Sequence, residues 1–242
     1  MVDYYHRTLK TSPVALAYLV GWGLGSREMV DRFRLGYAAA NRTLGDCLPG
    51  KQRHFAGCLV VPVFDEAGAV VDVYGLNLKT GGLRKPPLQL CLPGPPRGVW
   101  NLAELRSSKE VVLCESLIDA LTFWCAGYHN VTASYGVEGF TDEHLDAFKR
   151  YGTERVLIAY HRDEAGDQAS SSLAARLRSE RIDCYRIQFP MGMDANRYAL
   201  RARPANKSLG LVIQEALRLG EGERPRYDIR RQGNGENLRH RA

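Results

Sequence analysis

The sequence predicts an α/β fold in which a parallel sheet with crossover helices follows a smaller mixed α/β subdomain. From residue 109 onward, short apolar runs alternate with stretches of helical spacing, as in strand–helix–strand units. Upstream, the pattern is two helical stretches, a hairpin and a Gly- and Pro-rich segment. We therefore expect three segments: a basic mixed α/β subdomain at 1–108, the parallel sheet at 109–202, and a C-terminal helix with a basic, disordered tail at 203–242.

Turn residues define the elements of the first segment. Glycines at 21, 23 and 25 divide a helical stretch in two, and Ser26 is a suitable N-cap for the second half. An Asp65-Glu-Ala-Gly68 turn between two apolar runs predicts a β-hairpin. The expected elements are helices within 13–35, strands at 57–64 and 69–74, and a loop at 79–98 with a short strand at 88–92.

The second segment is predicted from the alternation of buried-type strands and capped helices. Thr141 followed by two acidic residues is a typical helix start, and Gly127 is a typical helix stop. Strands are expected at 111–115, 130–135, 155–160 and 184–189, and helices at 117–127, 141–150, 167–181 and 203–219.

Composition excludes several classes of protein. The hydrophobic fraction is 45% and the charged fraction 25%, as in ordinary globular proteins. No apolar run approaches the roughly 20 residues that span a bilayer, and no secretory signal precedes the fold, so a cytoplasmic protein without membrane contact is expected. Six scattered cysteines predict neither a zinc module nor a disulfide framework.

The net charge of +6 is unevenly distributed along the chain. The three segments carry net charges of +5, −3 and +4 in order. An acidic middle between basic flanks fits a carboxylate centre beside surfaces that bind a polyanion, although solvated charged faces would give the same imbalance.

Acidic or polar side chains follow three of the predicted strands in the second segment. Glu115 ends one apolar run, and Asp119 lies four residues later on the same face of the next helix. His161 and Asp163 follow the third run, and Asp194 follows the last. Because ligands bind at the carboxyl ends of parallel strands, these side chains are expected to meet at one edge. Oxygen donors gathered in this way predict a Mg²⁺ site with open positions for phosphate oxygens.

Simpler roles for the same residues stay open. Glu115 and Asp194 each stand where a carboxylate would cap the following helix, and Asp163 could belong to an ordinary βα turn in which Asp167 starts the helix. Asp119 lies within a helix and could be structural, and His161 could be a polar loop residue.

Three segments resemble, in order, the motifs of TOPRIM domains of the bacterial primase type. Glu115-Ser-Leu-Ile-Asp119 resembles the glutamate motif, His161-Arg-Asp163-Glu-Ala-Gly166 the Asp-x-Asp motif, and Gly192-Met-Asp194-Ala-Asn196 the third motif. Upstream, Gly57–Tyr74 and the basic loop to Arg97 resemble the N-terminal half of the primase polymerase core. The resemblance covers about residues 12–202 and implies a TOPRIM, Rossmann-like fold.

The resemblance also implies roles for individual residues. Glu115 would act as acid/base or metal carboxylate, and Asp163 as the principal metal ligand. The implied metal ligands are Glu115, Asp119, His161, Asp163 and Asp194. The implied contacts to template and nucleotide phosphates are Arg84, Lys85 and Arg97.

The implied activity is Mg²⁺-dependent synthesis of short RNA primers on single-stranded DNA, with Mn²⁺ as a substitute ion. Nucleoside triphosphates, single-stranded DNA and proteins of a replication system or mobile element are the implied partners. No counterpart of the family's zinc-binding or helicase-binding domain is recognised in this sequence. His161 stands where the family has aspartate, and imidazole is a softer ligand than carboxylate. Two alternatives therefore stay open: a catalytically impaired nucleic-acid-binding module and a metal-dependent nuclease.

Overall fold

The computed structural model describes residues 1–39, 55–78 and 88–220. Arg84, Lys85 and the predicted tail after residue 220 lie outside the described residues. Within the described part, no helix is both long and apolar enough to cross a lipid bilayer.

The first subdomain contains three helices and an antiparallel sheet of strand order β1-β2-β3-β4. Its elements are α1 (Val2–Lys10), α2 (Pro13–Gly21), α3 (Arg27–Arg32), β1 (Gly36–Ala38), β2 (Cys58–Phe64), β3 (Val70–Asn77) and β4 (Leu88–Cys91). The predicted hairpin is confirmed as β2 and β3, and Ser26 caps α3 by accepting a hydrogen bond from the backbone amide of Met29 at 3.2 Å. Helix α1 was not predicted; it buries Tyr5 and Leu9, one turn apart, against β1.

The second sheet has the strand order β6-β5-β7-β8-β9 and confirms the predicted α/β fold. Its four main strands are parallel, and the short β9 pairs antiparallel with β8. The strands are β5 (Glu110–Cys114), β6 (Val131–Ala133), β7 (Arg155–Ala159), β8 (Asp183–Arg186) and β9 (Leu217–Arg218). The helices are α4 (Leu102–Leu105), α5 (Leu117–Cys125), α6 (Asp142–Arg150), α7 (Glu164–Ser179), α8 (Ala195–Arg201) and α9 (Ala205–Gln214).

Three predicted boundaries are corrected by this arrangement. Helix α7 begins at Glu164 and not at 167, because Asp163 is its N-cap. Strand β8 ends at Arg186, three residues earlier than expected. The C-terminal helix ends at Gln214, and Leu217–Arg218 form an edge strand instead of a last helical turn.

Alternating side chains of the central strands fill two cores on opposite faces of the second sheet. Val112 and Leu157 face a core that is shared with the first subdomain, whereas Val111 and Val156 face helices α6 and α7. In the shared core, the ring of Phe33 lies 4.3 Å from Trp100 and 5.3 Å from Trp124, centroid to centroid. The first subdomain therefore packs directly onto one face of the parallel sheet.

Candidate metal centre

The carboxyl edge of the second sheet brings three of the predicted site segments together. Strands β5 and β7 are adjacent and parallel, with Cys114 opposite Ala159, so Glu115 and His161 leave the sheet side by side. The loop after β8 returns toward the same edge, because the amide of Arg162 donates to the Met193 carbonyl at 3.0 Å. The predicted convergence of the strand ends is therefore seen.

Glu115 is held at this edge by the loop that follows β7. Its Oε2 accepts a hydrogen bond from the backbone amide of His161 at 3.0 Å. Its own carbonyl accepts from the amide of Gly136, at 2.8 Å, which ties it to the loop after β6. Helix α5 is capped by Ser116, whose hydroxyl accepts from the Asp119 amide, so Glu115 is not the cap of this helix.

The imidazole of His161 lies between two carboxylates. Its Nε2 is 3.9 Å from Asp163 Oδ2, and its Nδ1 is 4.0 Å from Asp194 Oδ2. The other oxygen of each carboxylate caps a helix: Asp163 Oδ1 accepts from the Gly166 amide at 2.8 Å, and Asp194 Oδ1 accepts from the Arg197 amide at 2.7 Å. Each carboxylate thus presents its second oxygen to His161, and that of Asp194 also lies 3.5 Å from Arg197 Nε.

Asp119 occupies a different environment from the other carboxylates. It is 4% exposed, and both of its oxygens accept hydrogen bonds, from the Ser116 hydroxyl at 2.6 Å and from the Asn196 amide at 2.9 Å. Burial, followed by the charge of Asp194, raises the pKa of this carboxyl well above its usual range. Asp119 therefore links helix α5 to the start of α8 and offers no uncommitted oxygen to a cation.

Asn196 extends this link to the first subdomain. Its side-chain amide donates to the carbonyl of Trp22 at 2.9 Å and to the hydroxyl of Thr122 at 2.7 Å. The third motif is consequently anchored to both subdomains at Asn196, two residues after Asp194.

Arg186, which the sequence analysis did not identify, lies buried beneath the edge and forms an ion pair with Asp167 at 3.0 Å. Burial lowers the pKa of the guanidinium, and the hydrogen bond to Asp167 opposes this effect. The available signal was an arginine between Tyr185 and Ile187, inside a predicted strand.

The predicted basic residue Arg97 lies on the segment that joins the two subdomains. Its backbone amide donates to Asp72 Oδ2 at 3.0 Å, and its side chain is exposed. The neighbouring Gly98 carbonyl accepts from the hydroxyl of Tyr135 at 3.3 Å, at the carboxyl end of β6. Arg97 is therefore next in sequence to a residue that contacts the carboxyl end of β6.

The side chains at this edge offer carboxylate oxygens and an imidazole nitrogen, which are donor types that bind divalent cations. Among the described residues, no three His, Cys, Asp or Glu side chains stand close enough to form a ready-made metal site. Glu115, Asp163 and Asp194 nevertheless present carboxylate oxygens to one edge, and His161 adds an imidazole nitrogen. Hard cations such as Mg²⁺ prefer oxygen donors, whereas Mn²⁺ also tolerates imidazole.

Sequence comparison identifies a matching family and similar proteins. Residues 112–199 match a family described as Toprim-like. The chain is 24% identical over 251 residues to the DNA primase of Campylobacter jejuni, covering 90% of this chain and 40% of that protein. It is 32% identical over 153 residues to the DNA primase of Staphylococcus aureus, covering 60% of this chain and 24% of the relative. The chain thus spans two fifths or less of the length of these relatives.

Solved structures of bacterial primases share the fold. The crystal structure of the Aquifex aeolicus primase, with zinc-binding and RNA polymerase domains, superposes with a TM-score of 0.73 at 20% identity, covering 90% of this chain and 59% of that one. A DnaG catalytic core gives 0.71 at 22% identity, covering 90% and 78%. The DnaG catalytic domain bound to single-stranded DNA gives 0.70 at 21% identity, covering 90% and 76%. The predicted resemblance to a bacterial primase core with a TOPRIM fold is confirmed.

Proposed function

We propose that this chain, which resembles the catalytic core of bacterial DNA primases in sequence and fold, makes short RNA primers on single-stranded DNA in a divalent-cation-dependent reaction. The observation that carries the proposal is the meeting of Glu115, Asp163 and Asp194 at one sheet edge, in the order of the TOPRIM motifs. Nucleoside triphosphates and single-stranded DNA are the proposed substrates.

Within this proposal, three carboxylates share the binding of the cation. Asp163 and Asp194 each contribute the oxygen that faces His161, while their second oxygens keep the loops folded as helix caps. Glu115 is oriented by the His161 amide and is the candidate acid/base group. A bound Mg²⁺ or Mn²⁺ would neutralise phosphate charge that develops during nucleotidyl transfer.

The polyanionic substrates would be bound by Arg97 and by basic residues of the same stretch of sequence. Arg97 lies at the junction of the two subdomains, and Arg84 and Lys85 belong to the same basic stretch of sequence. Lys and Arg side chains bind phosphates by charge, so these residues suit a nucleic-acid strand or a triphosphate without reading sequence.

The proposal is tested by primer synthesis from labelled NTPs on single-stranded DNA, in Mg²⁺ and separately in Mn²⁺. The matched variant is Asp163→Asn, which keeps an oxygen for the Gly166 amide but removes the charge. Product in the unmodified chain and loss of product in the variant, with unchanged thermal stability, are expected. Shortening of the DNA in either metal, without RNA product, would contradict primer synthesis and favour a nuclease.

A second candidate function is nucleic-acid binding without turnover. It is favoured by His161, because imidazole in place of a carboxylate removes one negative charge from the site. This candidate predicts DNA binding that weakens with salt, together with no RNA product in either metal.

A further inference from the structure

The guanidinium of Arg186 forms four hydrogen bonds beneath the loop that follows β7. Nη1 donates to the carbonyls of Ile158 at 3.2 Å and Tyr160 at 2.9 Å. Nη2 donates to the carbonyl of His161 at 2.9 Å and to Asp167 Oδ1 at 3.0 Å. The side chain is 4% exposed, so the end of β7 and the first turn of α7 are joined by a buried, charged fork.

This fork fixes the peptide groups on both sides of His161. The His161 amide donates to Glu115 Oε2, while its carbonyl accepts from Arg186. Asp167 is held from a second side by Arg162, whose Nε lies 3.2 Å from Oδ2. A rotation of the peptide groups on either side of His161 would therefore break the hydrogen bond to Glu115 and displace the imidazole at the same time.

We propose that Arg186 is the positioning residue of the loop at residues 160–166: it holds the His161 peptide, and with it the Glu115 carboxylate and the His161 imidazole, in place at the edge where a divalent cation would bind. The inference rests on the proposed function, since it requires that this edge bind a cation. Outer-shell partners of this kind typically change metal affinity about 10–100-fold when removed.

Charge and positioning have opposite effects on cation binding, which makes the inference testable. A guanidinium near the carboxylates repels an incoming cation, so its charge alone weakens binding. Replacing Arg186 by a neutral residue would then tighten binding if charge were its main contribution. If positioning dominates, the same replacement weakens binding, because the loop donors are no longer held in place.

The experiment is a Mn²⁺ titration of the whole chain, followed by the electron paramagnetic resonance signal of the free ion. Arg186→Gln is expected to bind Mn²⁺ about 10–100-fold more weakly than the unmodified chain. Arg186→Lys is also expected to be weaker, since an ammonium keeps the charge but cannot reproduce the planar fork. Arg218→Gln is the matched control, because Arg218 pairs with Asp183 at the edge strand β9 and is expected to leave affinity unchanged.

A second measurement needs no metal. Hydrogen exchange of the backbone amides of residues 160–166 is expected to accelerate in Arg186→Gln and Arg186→Lys, while exchange in the first sheet stays as it was. Unchanged exchange in this loop, or equal or tighter Mn²⁺ binding by Arg186→Gln, would overturn the inference and leave the proposed function intact. Failure of the unmodified chain to bind Mn²⁺ would instead overturn the inference together with cation-dependent catalysis.

Discussion

His144 is a buried titratable group whose charge state is coupled to folding. It lies in the first turn of α6, where its Nδ1 accepts a hydrogen bond from the Thr141 amide at 3.2 Å. Its Nε2 donates to the carbonyl of Ala133, the last residue of β6, at 3.0 Å. The backbone amide can donate only to an unprotonated Nδ1, so this arrangement requires neutral imidazole. Burial lowers the pKa of His144 to about 4, the bond to Ala133 opposes this effect, and nearby Arg176 adds to it.

The lowered pKa makes stability depend on pH in one direction. In the unfolded chain the imidazole has its ordinary pKa of about 6.5, so the unfolded state binds a proton first as the pH falls. The stability contribution of neutral His144 is complete above pH about 6.5 and is lost progressively down to pH about 4. The lowering of the His144 pKa from about 6.5 to about 4 corresponds to about 3 kcal/mol of folding free energy in total. About 2 kcal/mol of this is lost when the pH falls to 5.

The test is urea denaturation of the unmodified chain and of His144→Gln at pH 7 and pH 5. Glutamine at this helix position keeps an acceptor for the Thr141 amide, as in the common capping box, but does not titrate in this range. Other titrating groups are common to both proteins and cancel in the difference. The unmodified chain is expected to lose about 2 kcal/mol more than the variant between the two pH values. Equal losses in the two proteins would refute the assignment of a buried, neutral His144.

Three further predictions concern the site and the surface beside it. Gly166→Ala should lower the free energy of unfolding in urea by about 1–3 kcal/mol, because a Cβ at this position would overlap the carbonyl oxygen of His161. Asn196→Ala should cost about 1–3 kcal/mol in the same assay, because the buried carbonyl of Trp22 loses its donor. Arg97→Gln should reduce the slope of log affinity against log salt for single-stranded DNA by about one, measured by fluorescence anisotropy.

Each of these predictions has a contrary outcome. Helix propensity alone favours alanine over glycine by about 1 kcal/mol, so a stabilised Gly166→Ala would contradict the predicted clash. The exposed Asn206 supplies the control for Asn196, and equal losses in Asn206→Ala and Asn196→Ala would contradict the bridge between the subdomains. An unchanged salt slope in Arg97→Gln would remove Arg97 from the DNA-binding surface.

Local patterns were sufficient for most of the fold. The strand–helix alternation after residue 109, the β2–β3 hairpin and the Ser26 cap were predicted because each depends on side chains near one another in the chain. Helix α1 was missed although Tyr5 and Leu9 stand four residues apart, a spacing that could have indicated it. Strand β9 could not be predicted, since two residues become a strand only through pairing with β8.

The candidate site was predicted to the level of residue sets and not to the level of contacts. The carboxyl-edge rule placed Glu115, Asp163 and Asp194 together, because parallel strands all end on the same side. One of the two Asp119 oxygens accepts from the amide of Asn196, which lies 77 positions away in the chain. The position of Arg186 depends likewise on carbonyls of another strand, and a sequence pattern does not specify such contacts.

The shared core has a consequence for how a substrate could move. The ring of Phe33 is packed against both Trp100 and Trp124, and Asn196 ties the third motif to the carbonyl of Trp22. Because apolar side chains and a buried hydrogen bond join the two subdomains, we expect them to move as one rigid body. Under the proposed function, a DNA strand that advances by one nucleotide would then move along the carboxyl edge without a hinge motion between the subdomains.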